Sequence, residues 1–150
     1  MNMYLFCADC VFFLFLPFFP FSYSPPTVKV GKKETSIMVT HRIGTADKAF
    51  QVVDAPESLR KEDWARVVCV FVHGPAWQFK GWPDKWSEPA YIFNKTLGLN
   101  IKFRDQQVEP NVKNWNVTVL DLERQNRHLD ATVSGNIWTH IEKSLLMRPL

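Results

Sequence analysis

The chain has 150 residues, of which 46% are hydrophobic and 22% are charged, a composition typical of one globular domain with a tail. Its formal charge of +3 is not concentrated in the last two thirds, because residues 49–150 contain 13 Lys or Arg and 12 Asp or Glu. This balance gives no indication of a nucleic-acid-binding face, and three cysteines are too few for a disulfide framework.

Residues 1–26 are predicted to lie outside the folded core. The apolar run Val11–Phe21 contains two prolines and is too short to cross a bilayer as a helix. One interpretation is a signal-like segment, although no Lys or Arg precedes Lys29. The other is an artefact of the gene prediction, because every residue of Phe12–Ser22 can be encoded by codons made only of pyrimidines, as in the tract before a splice acceptor.

Residues 27–48 are polar, mildly basic and without sustained periodicity, which predicts a flexible linker. The folded domain is therefore predicted to be residues 49–150, and a chain that begins at Ala49 is expected to fold without the tail. Cys7 and Cys10 form a CxxC pair, but no second ligand pair lies at zinc spacing, so no metal site is predicted.

Strands alternate with helical segments along residues 49–150, and this alternation indicates an α/β fold. The predicted strands are Phe50–Val53, Val67–Val72, a strand containing Leu99, Ile101 and Phe103, and Trp115–Leu122. The predicted helical segments are Ser58–Ala65, a helix between a Ser87 cap and a Gly98 stop, and a helix that begins at Asp130 and carries an apolar stripe up to Leu145.

The strand Val67–Val72 is continuously apolar and rich in β-branched residues, as expected of a central strand covered on both faces. Gly74 and Pro75 then turn the chain out of the sheet. The loop that follows packs Trp77, Gln78, Phe79, Lys80 and Trp82 into six residues. It therefore offers apolar area, a cation and hydrogen-bonding groups on one small surface, with Trp82 expected beneath the loop and Trp64 in the core.

Four stretches in one order resemble the C-terminal domain of the parafibromin family, a subunit of the RNA polymerase II-associated Paf complex. They are DWARVV at 63–68, GPAWQFKGWP at 74–83, PNVKNWNVTVLDL at 110–122 and RHLD at 127–130. The resemblance spans roughly residues 50–148, and it implies a Ras-like sheet flanked by helices.

A Ras-like fold raises the question of a phosphate-binding loop, GxxxxGK[ST]. In the window GPAWQFKG, Phe79 stands at the second glycine and Gly81 at the magnesium-binding hydroxyl, so no functional loop is predicted. The other enzyme alternative is an α/β-hydrolase fragment, since His73-Gly74 follows a strand, but none of the seven serines lies in a GxSxG elbow. No catalytic residue, metal or cofactor is predicted.

The resemblance implies a non-catalytic nuclear domain that recruits the Paf complex to transcribed chromatin by binding phosphorylated repeats of RNA polymerase II and its elongation partners. The predicted binding residues are Arg66, Trp77, Lys80 and Gln78, of which the resemblance extends to Arg66 and Trp77. Arg66 and Trp77 flank a strand roughly 20 Å long, so they share a surface only if the loop folds back. A secretory route is the alternative location if residues 1–26 are a real signal segment.

Overall fold

A computed structural model describes residues 3–7, 36–55, 57 and 59–147, and these residues build one six-stranded sheet in the order β2-β3-β1-β4-β5-β6. Every neighbouring pair is parallel except β2 and β3, which are antiparallel. The strands are β1 Met3–Cys7, β2 Ser36–Ile43, β3 Ala46–Val53, β4 Val67–Phe71, β5 Leu97–Phe103 and β6 Val117–Leu122. The predicted α/β class is confirmed.

The central strand β4 has all five of its residues buried, as its unbroken apolar sequence predicts. It pairs with β1 on one side and with β5 on the other. Cys69 is fully buried at 0% exposure, so the thiol acts as a small apolar side chain in the core.

Helical segments cover both faces of the sheet. The α-helices are α1 Pro89–Lys95, α2 Pro110–Asn114 and α3 Asp130–Met147, and short 3₁₀ turns lie at Asp63–Arg66, Ala76–Phe79, Asp84–Ser87 and Arg127–Leu129. One face packs Trp64, Phe79, Trp82, Ile92, Phe93 and Val112 against the strands, and the other packs Ile137, Trp138 and Ile141 of α3. The apolar stripe predicted along α3 is therefore confirmed at its centre.

Two predicted helix signals are wrong. Ser87 does not cap α1, because its hydroxyl donates to the Asp84 carbonyl at 3.2 Å and the cap position is taken by Glu88. Gly98 does not stop the helix, which ends at Lys95. Gly98 lies instead within β5, where a Cβ would meet the Phe93 ring at 2.7 Å, so the glycine is needed for close packing of α1 on the sheet.

The boundary predicted at residue 49 is also wrong. Residues 36–48 are not a linker, because β2 pairs along its whole length with β3 in an antiparallel hairpin. Met3–Cys7 is not outside the core, because β1 lies between β3 and β4 and its Met3, Tyr4 and Leu5 are buried. Residues 8–35 lie outside the described residues, so both interpretations of that apolar segment stay predictions.

Candidate site at the two ends of β4

The chain leaves the sheet abruptly after β4, and three side-chain amides replace the lost strand pairing. Gln78 bonds twice, since its Nε2 donates to the Phe71 carbonyl at 2.8 Å and its Oε1 accepts from the His73 amide at 3.0 Å. Asn100 Nδ2 donates to the Val72 carbonyl at 2.7 Å, and Asn111 Nδ2 donates to the Gly74 carbonyl at 3.1 Å. We name Gln78, Asn100 and Asn111 the amide clamp. It bonds to backbone groups of four successive residues, Phe71 to Gly74, where the chain leaves the sheet.

Gly74 is the pivot of this exit. Its φ of +127° is a conformation that L side chains rarely adopt. A Cβ here would also meet the Glu109 side chain, with Cγ only 2.6 Å away. Glycine is thus required twice at this position, once for the backbone angle and once because Glu109 packs directly on it.

Trp77 is the most exposed aromatic side chain at this end, with 71% of its surface accessible. It lies in the 3₁₀ turn Ala76–Phe79 beside Gln78, which is buried, and Lys80, which is exposed. The prediction that Trp77 and Lys80 are surface residues fits this geometry. Gln78 does not fit a partner contact, because burial and two backbone hydrogen bonds commit its amide to holding the loop.

The rest of the loop returns along the sheet through aromatic contacts. The ring of Phe79 is fully buried and lies 5.2 Å from Trp82, whose ring is 5.1 Å from Trp64. Trp86 extends the row, 5.1 Å from Trp64. Trp82 and Trp64 are 5% and 4% exposed, so both predictions of burial are confirmed. Edge-on and tilted ring contacts of this kind hold the returning loop in one conformation.

A charged cluster lies at the other end of β4. Asp63 accepts hydrogen bonds from the Arg60 amide at 3.0 Å and from the guanidinium of Arg66. The Arg66 guanidinium carbon lies 5.2 Å from the centre of the Tyr4 ring, within cation–π distance. The side chains of Arg66 and Asp63 are 24% and 11% exposed. Arg66 is therefore a half-buried cation whose orientation is fixed by its neighbours.

The ionisation of this cluster follows from its contacts. Burial disfavours the charged carboxylate of Asp63, but hydrogen bonds from the Arg60 amide, the Tyr4 hydroxyl and Arg66 outweigh burial and hold its pKa below the usual value. The pKa of Tyr4 is raised, first by burial and then by the hydrogen bond to Asp63. Asp63 is thus ionised and Tyr4 neutral at pH 7, and the Asp63 carboxylate accepts hydrogen bonds from the Tyr4 hydroxyl and from Arg66.

The two predicted binding residues lie toward opposite ends of β4. Arg66 precedes the strand, whereas the amide clamp holds the turn that carries Trp77 at the carboxyl end, beside Phe71 and His73. The loop does fold back, but it is Trp82 that returns to Trp64, two residues before Arg66. The strand between the two ends, β4, has five residues and is about 16 Å long at about 3.3 Å per residue.

Four residues of these two ends were not singled out by sequence reasoning: Tyr4, Asp63, Asn100 and Asn111. One of them carried a usable signal, since Asp63 lies three residues before Arg66, a spacing at which helical side chains meet. Asn100 stands at a polar position of an alternating strand, a pattern that predicts a solvent-facing side chain, yet it is 4% exposed. Tyr4 carried none, because its segment was excluded from the domain.

The loop GPAWQFKG does not lie where nucleotide-binding proteins of this fold carry their phosphate-binding loop. In nucleotide-binding proteins with this element order the phosphate loop follows the first strand, and here the first strand is β1, whereas GPAWQFKG follows β4. No glycine precedes Gly31 in the sequence, so GxxxxGK[ST] does not occur directly after β1.

The described residues contain no group of three or more His, Cys, Asp or Glu side chains arranged to hold a metal ion. Across the same residues, no helix is both long enough and apolar enough to cross a membrane.

Comparisons with known proteins place these features in a family context. The family described as "RNA pol II accessory factor, Cdc73 family, C-terminal" matches residues 18–144. The chain is similar to the protein CDC73 homolog of Arabidopsis thaliana, with 39% identity over 102 residues, which is 67% of this chain and 24% of that protein. It is also similar to the cell division control protein 73 of Schizosaccharomyces pombe, with 36% identity over 94 residues, which is 63% of this chain and 25% of that protein.

A solved structure agrees with the fold. The conserved domain of yeast Cdc73 superposes with a TM-score of 0.81, covering 99% of both chains at 23% sequence identity. The predicted Ras-like arrangement of a sheet flanked by helices is thereby confirmed. The chain spans about a quarter of the length of the curated relatives that it matches.

Proposed function

Because this chain belongs to the Cdc73 family of RNA polymerase II accessory factors, as a C-terminal domain, we propose that it is a non-catalytic interaction domain of transcription elongation. It binds phosphorylated repeats of RNA polymerase II and of elongation partners. Through that binding it recruits the other Paf complex subunits to transcribed chromatin, and it acts in the nucleus.

The observation that carries the proposal is the exposure of Trp77 on a loop whose backbone is held by the amide clamp. A tryptophan that is 71% exposed keeps its large apolar ring in water, and such rings are enriched where a partner later covers them. The amide clamp and Gly74 fix the backbone on which the ring stands. A ring on a backbone that is already held loses less entropy when it stacks on a proline or tyrosine of a peptide than a ring on a mobile loop does.

Arg66 supports the phosphate part of the proposal. A guanidinium presents donors in a planar fork that matches two phosphate oxygens. Asp63 and the Tyr4 ring hold this fork in one orientation while 24% of the side chain stays accessible. Lys80, exposed on the loop, adds a positive charge that attracts anionic peptides from a distance.

The distance between the two ends constrains the ligand. About 16 Å corresponds to about five residues of extended peptide at about 3.3 Å each. We expect a single extended phosphopeptide that contacts both ends to carry its phosphate and its stacking residue about five positions apart, which matches the length of β4. Peptides in which this spacing is varied by two residues provide a direct test of simultaneous contact.

The experiment titrates phosphorylated and unphosphorylated repeat peptides against the wild-type chain, Trp77→Ala, Arg66→Gln and Lys80→Ala. We expect Trp77→Ala and Arg66→Gln each to weaken binding of the phosphorylated peptide by about 1–3 kcal/mol. Lys80→Ala should mainly slow association and reduce the salt dependence. Trp77→Ala should change the free energy of unfolding by less than about 0.5 kcal/mol, because the ring is exposed.

Two outcomes contradict the proposal. Wild-type binding that does not depend on phosphorylation removes the phosphopeptide function. Normal binding by both Trp77→Ala and Arg66→Gln, with unfolding unchanged, removes these residues from the site.

The non-catalytic part has its own support and its own test. The sequence contains no GxxxxGK[ST] loop, whose backbone amides would hold a nucleotide phosphate. Calorimetry with GTP and GDP is expected to show no magnesium-dependent binding, and micromolar binding would contradict it. An esterase screen tests the hydrolase alternative in the same preparation.

A further inference from the structure

The turn before β4 carries a second arginine, Arg60, whose backbone amide bonds to the Asp63 carboxylate that also holds the Arg66 guanidinium. The Arg60 amide donates to Asp63 Oδ2 at 3.0 Å, and the Asp63 amide donates back to the Arg60 carbonyl at 3.0 Å. The other carboxylate oxygen, Oδ1, accepts from Arg66. We propose that Arg60 is a second phosphate-binding residue, so that the guanidiniums of Arg60 and Arg66 hold one phosphate group of a phosphorylated peptide. This inference rests on the phosphopeptide binding proposed above.

Charge balance is the reason that Arg66 needs a second cation. A peptide phosphate carries a charge of about −1.5 to −2 at pH 7. The positive charge of Arg66 is already compensated by ionised Asp63, with which it forms a salt bridge. The pair alone therefore presents almost no net charge to a dianion, and a further positive side chain is required to offset the phosphate.

Arg60 meets this requirement. Its side chain is exposed, and no ion pair of Arg60 is found among the described residues, so its charge is available to a ligand. Its backbone is held by the two reciprocal bonds to Asp63, which fix where the side chain starts. The turn also contains Lys61 and Glu62, both exposed, so residues 60–66 hold three basic and two acidic side chains.

The electrostatics of Tyr4 indicate that both arginines act on one small region. Burial and the hydrogen bond to Asp63 raise the pKa of Tyr4, while the positive charges of Arg66 and Arg60 act in the opposite direction. The positive charges of both arginines therefore act at the Tyr4 hydroxyl.

Lys61 provides a matched control for the test. It is the next residue along the chain, it is exposed, and Lys61→Gln removes the same unit of charge as Arg60→Gln. The full chain is titrated with a repeat peptide that carries a single phosphoserine and with its unphosphorylated form. We expect Arg60→Gln to weaken binding of the phosphorylated peptide about tenfold, as for loss of a charge-assisted hydrogen bond, and Lys61→Gln by less than about threefold.

Arg60→Lys completes the series, because it keeps the charge and loses the fork. It should recover part of the lost affinity, which a purely structural role for Arg60 would not produce. Thermal unfolding of Arg60→Gln should match the wild type, since Arg60 bonds to Asp63 through its backbone.

The outcomes separate this inference from the function on which it rests. Equal weakening by Arg60→Gln and Lys61→Gln, while binding still requires the phosphate and Arg66, overturns the role of Arg60 and leaves the proposed function intact. A wild-type chain that does not distinguish the two peptides overturns both.

Discussion

The two ends of β4 are held by opposite kinds of polar contact. At the amino end, the ionised carboxylate of Asp63 accepts from the Arg60 backbone amide, the Arg66 guanidinium and the Tyr4 hydroxyl in one half-buried cluster. At the carboxyl end, three neutral amides bond to backbone groups. Charged contacts depend on pH and salt, whereas amide-to-backbone contacts do not. One end is thus suited to recognising charge, and the other to holding an aromatic ring in place under any condition.

The largest expected effect comes from removing β1, which lies next to β4 and carries Tyr4 to the charged end. A chain that begins at Ala49 loses β1 and β2, and with them a central neighbour of β4. We expect its cooperative unfolding transition to disappear. Leu5→Asp should act similarly, because it places a charge at a site that is 4% exposed, while Thr45→Asp at the exposed hairpin turn should not. Cooperative unfolding of the truncated chain would show that β1 is dispensable.

The next largest effect is expected at the carboxyl end. Gly74→Ala forces a left-handed backbone angle on alanine and drives its Cβ into Glu109. The expected loss is about 2–4 kcal/mol in the free energy of unfolding. Gly135→Ala is the matched control, since its added methyl meets no atom within 4 Å and alanine favours the helix by up to about 1 kcal/mol. Denaturant titration measures both, and equal stability of the two variants would argue against Gly74 as the pivot.

A smaller loss should follow from breaking the amide clamp. Gln78→Leu leaves the Phe71 carbonyl and the His73 amide without the bonds made by Gln78, at a cost of about 1–3 kcal/mol. Because the clamp is neutral, this loss should be the same in 0.05 M and 1 M salt and between pH 3 and pH 7. A strong salt dependence would mean that the two ends do not differ in the way described.

The smallest effect is expected for Tyr4→Phe at the charged end. It removes one hydroxyl bond to Asp63 and should cost about 1 kcal/mol at pH 7. The pKa of Asp63 is lowered in the folded state, so its stabilising contribution is present above the unfolded value of about 4 and is lost as the pH falls through the folded value. The stability difference between Tyr4→Phe and the wild type should therefore shrink below about pH 4. A constant difference would contradict an ionised partner for Tyr4.

Sequence reasoning recovered the carboxyl half of the fold, whereas the binding roles of Arg66, Trp77 and Lys80 stay predictions. The unbroken apolar run of β4 predicted burial on both faces, and the stripe on α3 predicted one buried face because its spacing has the period of a helix. The resemblance to the parafibromin family was also confirmed, since it rested on four ordered stretches rather than on one motif.

The parts that were missed depend on contacts between distant residues. Met3–Cys7 has only five residues and no partner nearby in sequence, so its apolar character could not be assigned to a strand. Asn111 and Gly74 are 37 positions apart, and a surface asparagine carries no mark of the carbonyl to which it will bond. Gln78 stood beside Trp77 in a binding loop, and only the direction of its side chain separates the two roles.

The position of β1 also bears on how the chain reaches its native state. Met3–Cys7 is synthesised before the other five described strands, yet its two neighbours are β3 and β4, and Tyr4 pairs with Val67, 63 positions later. Pairings so far apart in sequence are slow to form because a long loop must be closed first. The β2–β3 hairpin is local and needs no such closure. We therefore expect the hairpin to form early during synthesis, and the site at β4 to become competent only in the last, slowest step of folding.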